Sequence, residues 1–259
     1  MVVAYPQIKI FGERSTSTNA LKLLIERNSS TKVVPSVAED IDPYFRIKMA
    51  LMKRLPKGEF LQERYIDSVF RRAPIRYAWK HTATTFESVE GFSDCLILFN
   101  IRHPASWLLA LHRRPHHALR AVPKSFEDFL ATPWKTLQRE RLGGEDFTPV
   151  EIYNKKIQSY LQFARLLDAK SLGHSFQRFE DFAIDQISVF EQLKQNLMSA
   201  SESPQIIRSS TKDKSKDVEY YREYYGEEKW RRELSRDAAS SINEAIDWPA
   251  LARFDYRPL

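Results

Sequence analysis

The sequence contains a single cysteine and lacks any long hydrophobic run. Cys95 lies in the apolar run CLILFNI, and one cysteine cannot build a disulfide framework, so a buried and unreactive thiol is expected. No segment approaches the roughly 18 consecutive apolar residues that a membrane-spanning helix requires. The N-terminal residues MVVAYPQIKIFGERS lead directly into a strand pattern rather than a signal peptide. These absences predict a cytoplasmic protein.

Internal repeats and low-complexity linkers are also missing, which favours one domain spanning residues 1–259. Two smaller domains are the alternative for a chain of this length. The composition gives a formal net charge of +6 and an isoelectric point near 9.3. This balance favours anionic ligands, and charge alone does not choose among a nucleotide, a nucleic acid, an acidic glycan and a membrane surface.

Short apolar runs alternate with helical patterns along the chain. Five runs have the length and character of strands, namely 7–11, 32–34, 75–79, 95–101 and 175–179. Amphipathic helices are predicted around residues 20–25 and 150–167, the second with Thr148, Pro149 and Glu151 as its starting signals. The alternation predicts an α/β fold with a central, mainly parallel sheet of about five strands and helices on both faces. Ligands of such sheets bind at the carboxyl ends of the strands.

Two segments stand outside this alternation. Residues 40–74 form a helical insertion rich in arginine and lysine, which is interpreted either as a solvated amphipathic face or as a lid over an acceptor site. The segment 209–259 begins with a lysine-rich loop, STKDKSKD, and is then predicted to form a helical cap. The apolar residues of this cap that suit core contacts are Trp230, Leu234, Ile242, Ile246, Trp248 and Leu251.

A hydroxyl-rich loop connects the first strand to the first helix. QIKIFG is followed by ERSTST and then by the helical pattern NALKLLIERN. Unpaired N–H groups and the positive end of the helix dipole suit such a junction to a phosphate. The side chains that would add donors or charge are Arg14, Ser15, Thr16, Ser17, Thr18 and Asn19. Ordinary helix capping is the alternative, and a Walker-type NTPase is disfavoured because the GxxxxGK[ST] lysine is missing.

A second cationic position follows the strand pattern CLILFN. Arg102 lies at the end of that strand, just before Pro104, which is placed to start a helix that Pro115 would stop. Ligand binding and a surface ion pair are the two interpretations of Arg102, and its position at a strand end favours binding. A basic patch at the end of this helix is assigned no specific role and consists of His112, Arg113, Arg114, His116 and His117. Its three histidines have no carboxylate or cysteine partner to complete a metal site. No metal is therefore expected.

These segments together resemble the sulfotransferases that use 3'-phosphoadenosine 5'-phosphosulfate (PAPS). GERSTSTN is similar to their 5'-phosphosulfate loop, often written PKSGTT or RSGTT, with Arg14 at the basic position, where its fixed charge is expected to stabilise the leaving phosphate. The segment that begins at Arg102 is similar to their 3'-phosphate motif, and HSFQRFEDF and IDWPALARFDY resemble later segments of the family. The resemblance implies a P-loop-NTPase-like fold, PAPS as co-substrate, the desulfated nucleotide PAP as product, and no metal.

The sequence departs from the family pattern at two positions. Thr16 stands where glycine is common, and Ala110 stands where the family has a serine that contacts the 3'-phosphate, so Ser106 is considered as a replacement. The family also closes its cofactor site with a late basic loop. This implies nucleotide contacts from Lys212, Lys214 and Lys216, with a solvated loop as the alternative.

His81 is the predicted general base. It follows the predicted strand 75–79 and should emerge at the sheet edge that carries the hydroxyl loop. A histidine pKa of about 6.5 leaves the ring mostly neutral near pH 7, so it can accept a proton. The cytosolic members of the family carry a Lys-x-His pattern here, whereas Lys80 is directly adjacent to His81. Lys80 is predicted beside His81 as a further catalytic residue. Glu59 and Glu63 in the helical insertion are the alternative bases, and a histidine that only caps the turn before TATTFE is the non-catalytic interpretation of His81.

The predicted function is transfer of a sulfuryl group from PAPS to a hydroxyl or amine of a small-molecule or glycan acceptor, in line and with a general base. The acceptor itself cannot be read from the sequence because variable loops would recognise it. Two other functions remain open: a catalytically inactive nucleotide-binding member of the family, and a basic nucleic-acid-binding protein. No recognisable nucleic-acid-binding module is present to favour the latter.

Overall fold

The computed structural model describes residues 4–144, 146–209 and 215–259. Its strands in these ranges are β1 (Gln7–Gly12), β2 (Lys32–Val33), β3 (Cys95–Ile101), β4 (Trp134–Lys135), β5 (Asp146–Phe147) and β6 (His174–Arg178). Four of them form a parallel sheet in the order β2-β1-β3-β6, while β4 and β5 form a small antiparallel pair. In the sheet, β1 lies beside β3 from Gln7 opposite Cys95 to Gly12 opposite Asn100.

Helices connect and flank these strands. They are α1 (Thr18–Asn28), α2 (Ala38–Ile41), α3 (Phe45–Lys53), α4 (Gly58–Arg72), α5 (Pro104–Arg113), α6 (Phe126–Ala131), α7 (Pro149–Ala169), α8 (Phe179–Ile184), α9 (Gln186–Lys194), α10 (Val218–Gly226), α11 (Arg236–Ala245) and α12 (Trp248–Leu251). Short 3₁₀ turns occupy Ile75–Tyr77, Glu90–Phe92, Gln138–Glu140, Lys229–Glu233 and Ala252–Phe254. Across the described ranges, no helix has the length and apolar character needed to cross a membrane.

Both faces of the sheet are buried against helices. Alternate residues of a strand point to opposite faces, and Leu96 and Leu98 of β3 accordingly pack in a core with the apolar sides of α1 and α9. Ile97 and Phe99 pack on the other face, in a larger core that includes α5, α7 and the C-terminal helices. The predicted α/β architecture with a parallel sheet between helices is therefore confirmed.

The predicted helix signals act as expected. The Thr148 hydroxyl accepts a hydrogen bond from the Glu151 N–H at 3.3 Å, and α7 begins at Pro149. Pro104 begins α5, which ends before Pro115. The apolar residues predicted for the C-terminal cap are all buried or packed against the larger core. Burial also raises the pKa of the Cys95 thiol to about 12, which keeps it protonated.

The prediction of a strand over residues 75–79 is wrong. This segment contains the 3₁₀ turn Ile75–Tyr77, flanked by Pro74 and Ala78. The neighbours of β1 explain the difference, because β2 pairs with the start of one edge of β1 and β3 pairs along the other. Among the described residues, the backbone hydrogen bond to β1 comes just after this segment, where the Gly12 N–H donates to the Lys80 carbonyl at 2.9 Å. The segment itself contacts β1 through side chains, since Lys9 donates to the Ala78 carbonyl and Arg76 to the Gln7 side chain. The described sheet therefore has four strands instead of about five.

His103 is a buried histidine at the start of α5. Its Nδ1 accepts from the Ala105 N–H at 3.3 Å, and its Nε2 lies 3.3 Å from the Arg257 carbonyl, to which it must donate. This pair of contacts requires a neutral ring. Burial lowers the pKa of His103 to about 3.

We expect His103 to reduce the stability of the fold as the pH falls from 6.5 toward 3. In this range the histidine is protonated in the unfolded chain and neutral in the folded chain, so acid favours unfolding. Its contribution to the loss is about 2 kcal/mol at pH 5. His103→Asn retains a capping oxygen and removes the titration. Urea unfolding at pH 7 and pH 5 should therefore show a smaller acid loss in the variant. Equal losses in both proteins would mean that His103 titration is not coupled to folding.

Candidate functional site

A pocket with a cavity volume of about 200 Å³ opens at the carboxyl ends of β1, β3 and β6. Its walls combine the loop after β1, the first residues of α1, residues after β3, and helices α8 and α10. The sequence-predicted residues that line it are Ser15, Ser17, Thr18, Asn19, Lys80, His81, Arg102 and Lys216. The structure thus brings the hydroxyl loop, the predicted base and the strand-end arginine into one cavity.

Side chains bind the backbone carbonyls of the hydroxyl loop, and each carbonyl from Gly12 to Thr16 accepts one such hydrogen bond. The pairs are His81 Nδ1 to Gly12 O at 2.5 Å, Thr16 Oγ1 to Glu13 O at 2.6 Å, Trp107 Nε1 to Arg14 O at 2.9 Å, Arg102 Nη1 to Ser15 O at 2.6 Å, and Asn100 Nδ2 to Thr16 O. The carbonyl and N–H of one peptide unit point in opposite directions. The N–H groups of residues 13–17 therefore face away from these donors, and the loop is fixed before any ligand arrives.

Two serines of this loop adopt the left-handed backbone conformation, with φ of 60° at Ser15 and 59° at Ser17. Residues other than glycine seldom do so, at a cost of roughly 1–2 kcal/mol each, so the contacts to the loop carbonyls must hold them there. Ser17 precedes α1 but its side chain makes no capping hydrogen bond to a described residue. Ordinary capping by Ser17 therefore does not explain the loop, and the first N–H groups of α1 suit an anion.

Thr16 does not line the pocket with its side chain. It is 2% exposed, its hydroxyl donates to the Glu13 carbonyl at 2.6 Å, and its φ lies outside the left-handed region. The absence of a side chain is needed instead at Gly12, where a Cβ atom would lie 2.5 Å from the Asn100 carbonyl oxygen and 2.9 Å from the Thr16 hydroxyl. The loop therefore tolerates threonine at position 16 because β1 ends in glycine.

Arg102 ties three parts of the pocket together. Its Nε donates to the Ser106 hydroxyl at 2.9 Å, its Nη1 to the Ser15 carbonyl at 2.6 Å, and its Nη2 to the Tyr225 hydroxyl at 2.6 Å. The guanidinium also lies 4.3 Å from the centre of the Phe179 ring. Among the described residues, no carboxylate forms an ion pair with it. Two of its five N–H donors remain for a ligand, so the surface ion-pair interpretation does not hold.

Ala110 lines the pocket and Ser106 does not. Ser106 is 1% exposed and bonded to Arg102 and, at 3.3 Å, to Glu180, so it supports the arginine rather than replacing the missing serine. Arg113 and Arg114 line the cavity three and four residues after Ala110, on the same side of α5. Sequence reasoning placed both in an unassigned basic patch, although their spacing from Ala110 was the signal that could have identified them.

His81 reaches the pocket with a defined tautomer. The Gly12 carbonyl can only accept, so the Nδ1 that lies 2.5 Å from it must carry the proton. The lone pair of the neutral ring is therefore on Nε2. Burial and the nearby charges of Lys80, Arg14 and Lys156 lower the pKa of His81 well below its usual value, against the Gly12 hydrogen bond, which raises it. His81 is thus held as a neutral proton acceptor.

Lys80 lies beside His81 at the mouth of the hydroxyl loop. Its side chain is 8% exposed and its Nζ donates to the Asn19 side-chain carbonyl in the first turn of α1. Both residues line the pocket. Lys80 therefore places a positive charge next to the N–H groups at the start of the helix.

Arg14 is not brought to the pocket. Its guanidinium is 2% exposed and turned into the protein, where it binds Glu140 through contacts of 2.7 and 3.3 Å. Lys156 joins them, with its Nζ 2.9 Å from Glu140 and 2.7 Å from Glu13. Burial raises the pKa of Glu13, whereas Arg14 and Lys156 hold the pKa of Glu140 far below its usual value. The expected contact between Arg14 and the phosphosulfate is therefore absent from this arrangement, because the charged side chain is the partner of Glu140.

The two alternative bases also lie outside the pocket lining. Glu63 is bound to Arg139 and lies 3.2 Å from His117 Nδ1, and these partners lower its pKa to about 2. Glu59 is exposed to solvent on α4. Glu63 is therefore a structural anion, and neither carboxylate competes with His81 in this conformation.

Aromatic side chains form part of the pocket wall. Helix α10 contributes four tyrosines and α8 contributes two phenylalanines. These lining aromatic residues are Phe179, Phe182, Tyr220, Tyr221, Tyr224 and Tyr225. Sequence reasoning missed this wall. The signal was present in the run VEYYREYYG, whose paired tyrosines recur at helical spacing.

The predicted basic lid begins and ends at the rim of the pocket. Ser209 and Asp217 both line the cavity and form an isolated antiparallel bridge with each other. Lys216 lies between them, with its Nζ 4.7 Å from the centre of the Tyr220 ring. Lys212 and Lys214, the other two predicted contacts, lie outside the described residues.

In the ranges that the structure describes, no group of three histidine, cysteine, aspartate or glutamate side chains is placed to hold a metal ion.

Comparison with known proteins adds no family assignment to this geometry. No protein-family model and no curated protein sequence matches the chain.

Proposed function

We propose that this chain is a PAPS-dependent sulfotransferase that acts on an acceptor hydroxyl or amine. The observation that carries the proposal is the convergence of the hydroxyl loop, Lys80, His81 and Arg102 in one pocket at the carboxyl ends of β1 and β3. Parallel α/β sheets bind their ligands at this edge. The strand, anion loop and helix follow one another as they do at phosphate sites of P-loop-like folds, which supports a relation to those folds.

We assign each part of the nucleotide to a different set of pocket residues. The N–H groups at the start of α1 and the Lys80 ammonium would hold the 5'-phosphosulfate. Arg102, with Arg113 and Arg114 beyond Ala110, would hold the 3'-phosphate through charge-assisted hydrogen bonds. The aromatic wall of α8 and α10 would pack against the adenine.

The reaction then requires one proton transfer and one sulfuryl transfer. As the acceptor oxygen or nitrogen forms a bond to sulfur, the bond between sulfur and the phosphate oxygen of PAPS breaks, and PAP leaves with that electron pair. His81 Nε2 takes the acceptor proton. Lys80 and the loop N–H groups stabilise the negative charge that develops on the leaving phosphate.

A nucleotide-binding protein without transferase activity is the second function with support. Arg14 is engaged by Glu140 rather than by the pocket, and Ala110 offers no hydroxyl to a 3'-phosphate. Both features weaken contacts that the resemblance implies for catalysis, yet they leave the cavity and Arg102 in place.

The nucleotide requirement can be tested with thermal unfolding of the purified protein. PAP at 100 times its Kd should stabilise the fold by about 2.7 kcal/mol, which corresponds to a rise in Tm of roughly 5–10 °C. AMP should give a much smaller shift because it lacks the 3'-phosphate that Arg102 would bind. Equal shifts with PAP and AMP, or none with either, would contradict the proposed role of Arg102.

Turnover separates the enzyme from the inactive binder. Mass-detected sulfate transfer from PAPS should be screened over phenols, sugars, glycolipids and peptides. A sulfated product supports the transferase. PAP binding without any product across this screen favours the nucleotide-binding function instead.

A further inference from the structure

The hairpin formed by α3 and the start of α4 exposes a concentrated set of apolar side chains. The described residues leave ten large hydrophobic side chains exposed, and five of them lie within residues 44–60. These five, called the hairpin patch below, are Tyr44 (63%), Ile47 (62%), Leu51 (57%), Leu55 (53%) and Phe60 (52%). No residue of α3 is buried. Such a cluster is uncommon on a protein surface unless something covers it.

Two side chains of the hairpin patch lie on α3 itself. Ile47 and Leu51 are four residues apart and so share one side of the helix, while Tyr44 directly precedes α3 and Leu55 lies in the turn that follows it. The other side of α3 faces α4: the Phe45 ring lies 6.4 Å from the Tyr65 ring, and Gln62 donates to the Met49 carbonyl at 2.9 Å. The helix therefore packs by one side and presents a second apolar side to solvent.

Positive charge surrounds the hairpin patch. Residues 44–60 contain five lysines and arginines against one glutamate, a net charge of +4. Arg46 and Lys48 are paired with Glu39 at 2.5 Å and Asp42 at 3.1 Å. The other three, Lys53, Arg54 and Lys57, lie exposed at the turn between the helices. Within the described part of the chain, no acidic side chain forms an ion pair with any of these three.

We propose that the hairpin docks on the surface of a lipid bilayer that contains anionic phospholipids. The hairpin patch would enter the boundary between headgroups and acyl chains, and the three exposed cations at the turn would bind lipid phosphates. An exposed apolar helix side flanked by unpaired lysine and arginine is the pattern of helices that lie in a membrane interface. This inference rests on the insertion alone and does not depend on the proposed chemistry of the pocket.

Vesicle co-sedimentation tests the proposal with the full chain. Vesicles of phosphatidylcholine with 30% phosphatidylserine should bind the protein, and vesicles of phosphatidylcholine alone should bind it far more weakly. The triple variant Lys53→Glu, Arg54→Glu, Lys57→Glu should lose on the order of 100-fold in affinity. The triple variant Ile47→Ser, Leu51→Ser, Leu55→Ser should also lose binding, whereas Leu119→Ser with Ile187→Ser, which removes exposed apolar side chains elsewhere, should not.

A second measurement reports insertion directly. Leu55→Cys can be labelled with an environment-sensitive fluorophore, because Cys95 is buried. The fluorescence emission of the label should shift to shorter wavelength when the protein binds anionic vesicles. Absence of vesicle binding, or binding that both triple variants leave unchanged, would overturn the proposal. So would a concentration-dependent dimer that the apolar triple variant abolishes without any vesicle binding, since the hairpin patch would then be a protein interface.

Discussion

Replacing His81 with asparagine is expected to lower sulfuryl transfer by about 10²–10⁴-fold, the usual contribution of a general base. The Nδ1 of His81 donates to the Gly12 carbonyl, so the lone pair needed for catalysis is on Nε2. The asparagine amide can still donate to that carbonyl but cannot accept a proton. PAP binding, measured by thermal shift, should therefore change little while kcat falls.

Matched variants distinguish the base from its surroundings. His117 packs against Trp79 as His81 does, with ring centres 5.6 and 5.0 Å apart, but it does not line the pocket. His117→Asn and the exposed Glu59→Gln should both stay within a few-fold of normal turnover. Near-normal turnover in His81→Asn would remove His81 from the mechanism and return the search to the carboxylates of the insertion.

The pH dependence follows from the same pKa shift. Burial and neighbouring cations hold the pKa of His81 well below 6.5, so the ring stays deprotonated through the neutral range. A base is active in its deprotonated form, and an ordinary histidine would lose half of its active form by about pH 6.5. We therefore expect that protonation of His81 causes no loss of turnover near pH 6.5.

The parts of the site that sequence predicted best are those with local signals. The strand, hydroxyl loop and helix from Gln7 to Asn28 combine a buried apolar run, a polar break and a helical repeat, and each of these depends on neighbouring residues only. Arg102 could be predicted because it follows a strand that is apolar except for Asn100. The carboxyl ends of parallel strands lie at one edge of the sheet, so both junctions were predicted to lie there and to form the site together.

The direction of each loop side chain could not be predicted in this way. Arg14 and Ser15 are consecutive, yet Arg14 points into the protein and Ser15 lines the pocket. That difference depends on Glu140, which is 126 residues away in the chain. The same holds for residues 75–79, whose apolar character suits a strand but whose place beside β1 was already taken by β2. Long-range partners decided both outcomes.

Glu140→Gln should destabilise the fold by about 3–5 kcal/mol, the usual cost of breaking a buried ion pair. Glu140 is 0% exposed and contacts both Arg14, at 2.7 Å, and Lys156, at 2.9 Å. Glutamine preserves the shape but leaves two buried cations with only Glu13 to balance them. Urea unfolding near pH 7 measures the change. The surface pair offers a control, because Glu39→Gln removes the partner of Arg46 and should cost no more than about 1 kcal/mol.

A double-mutant cycle of Arg14 and Glu140 tests the role of Arg14. If Arg14 supports the loop through Glu140, Arg14→Gln should destabilise the protein, and Arg14→Gln combined with Glu140→Gln should cost clearly less than the sum of the two single changes, because neither charge is then left without its partner. Turnover at saturating PAPS should fall far less in Arg14→Gln than in Lys80→Met, since Lys80 lies in the pocket and Arg14 does not. The opposite pattern, in which Arg14→Gln keeps normal stability and loses turnover, would require the guanidinium to leave Glu140 and reach the phosphosulfate when the nucleotide binds.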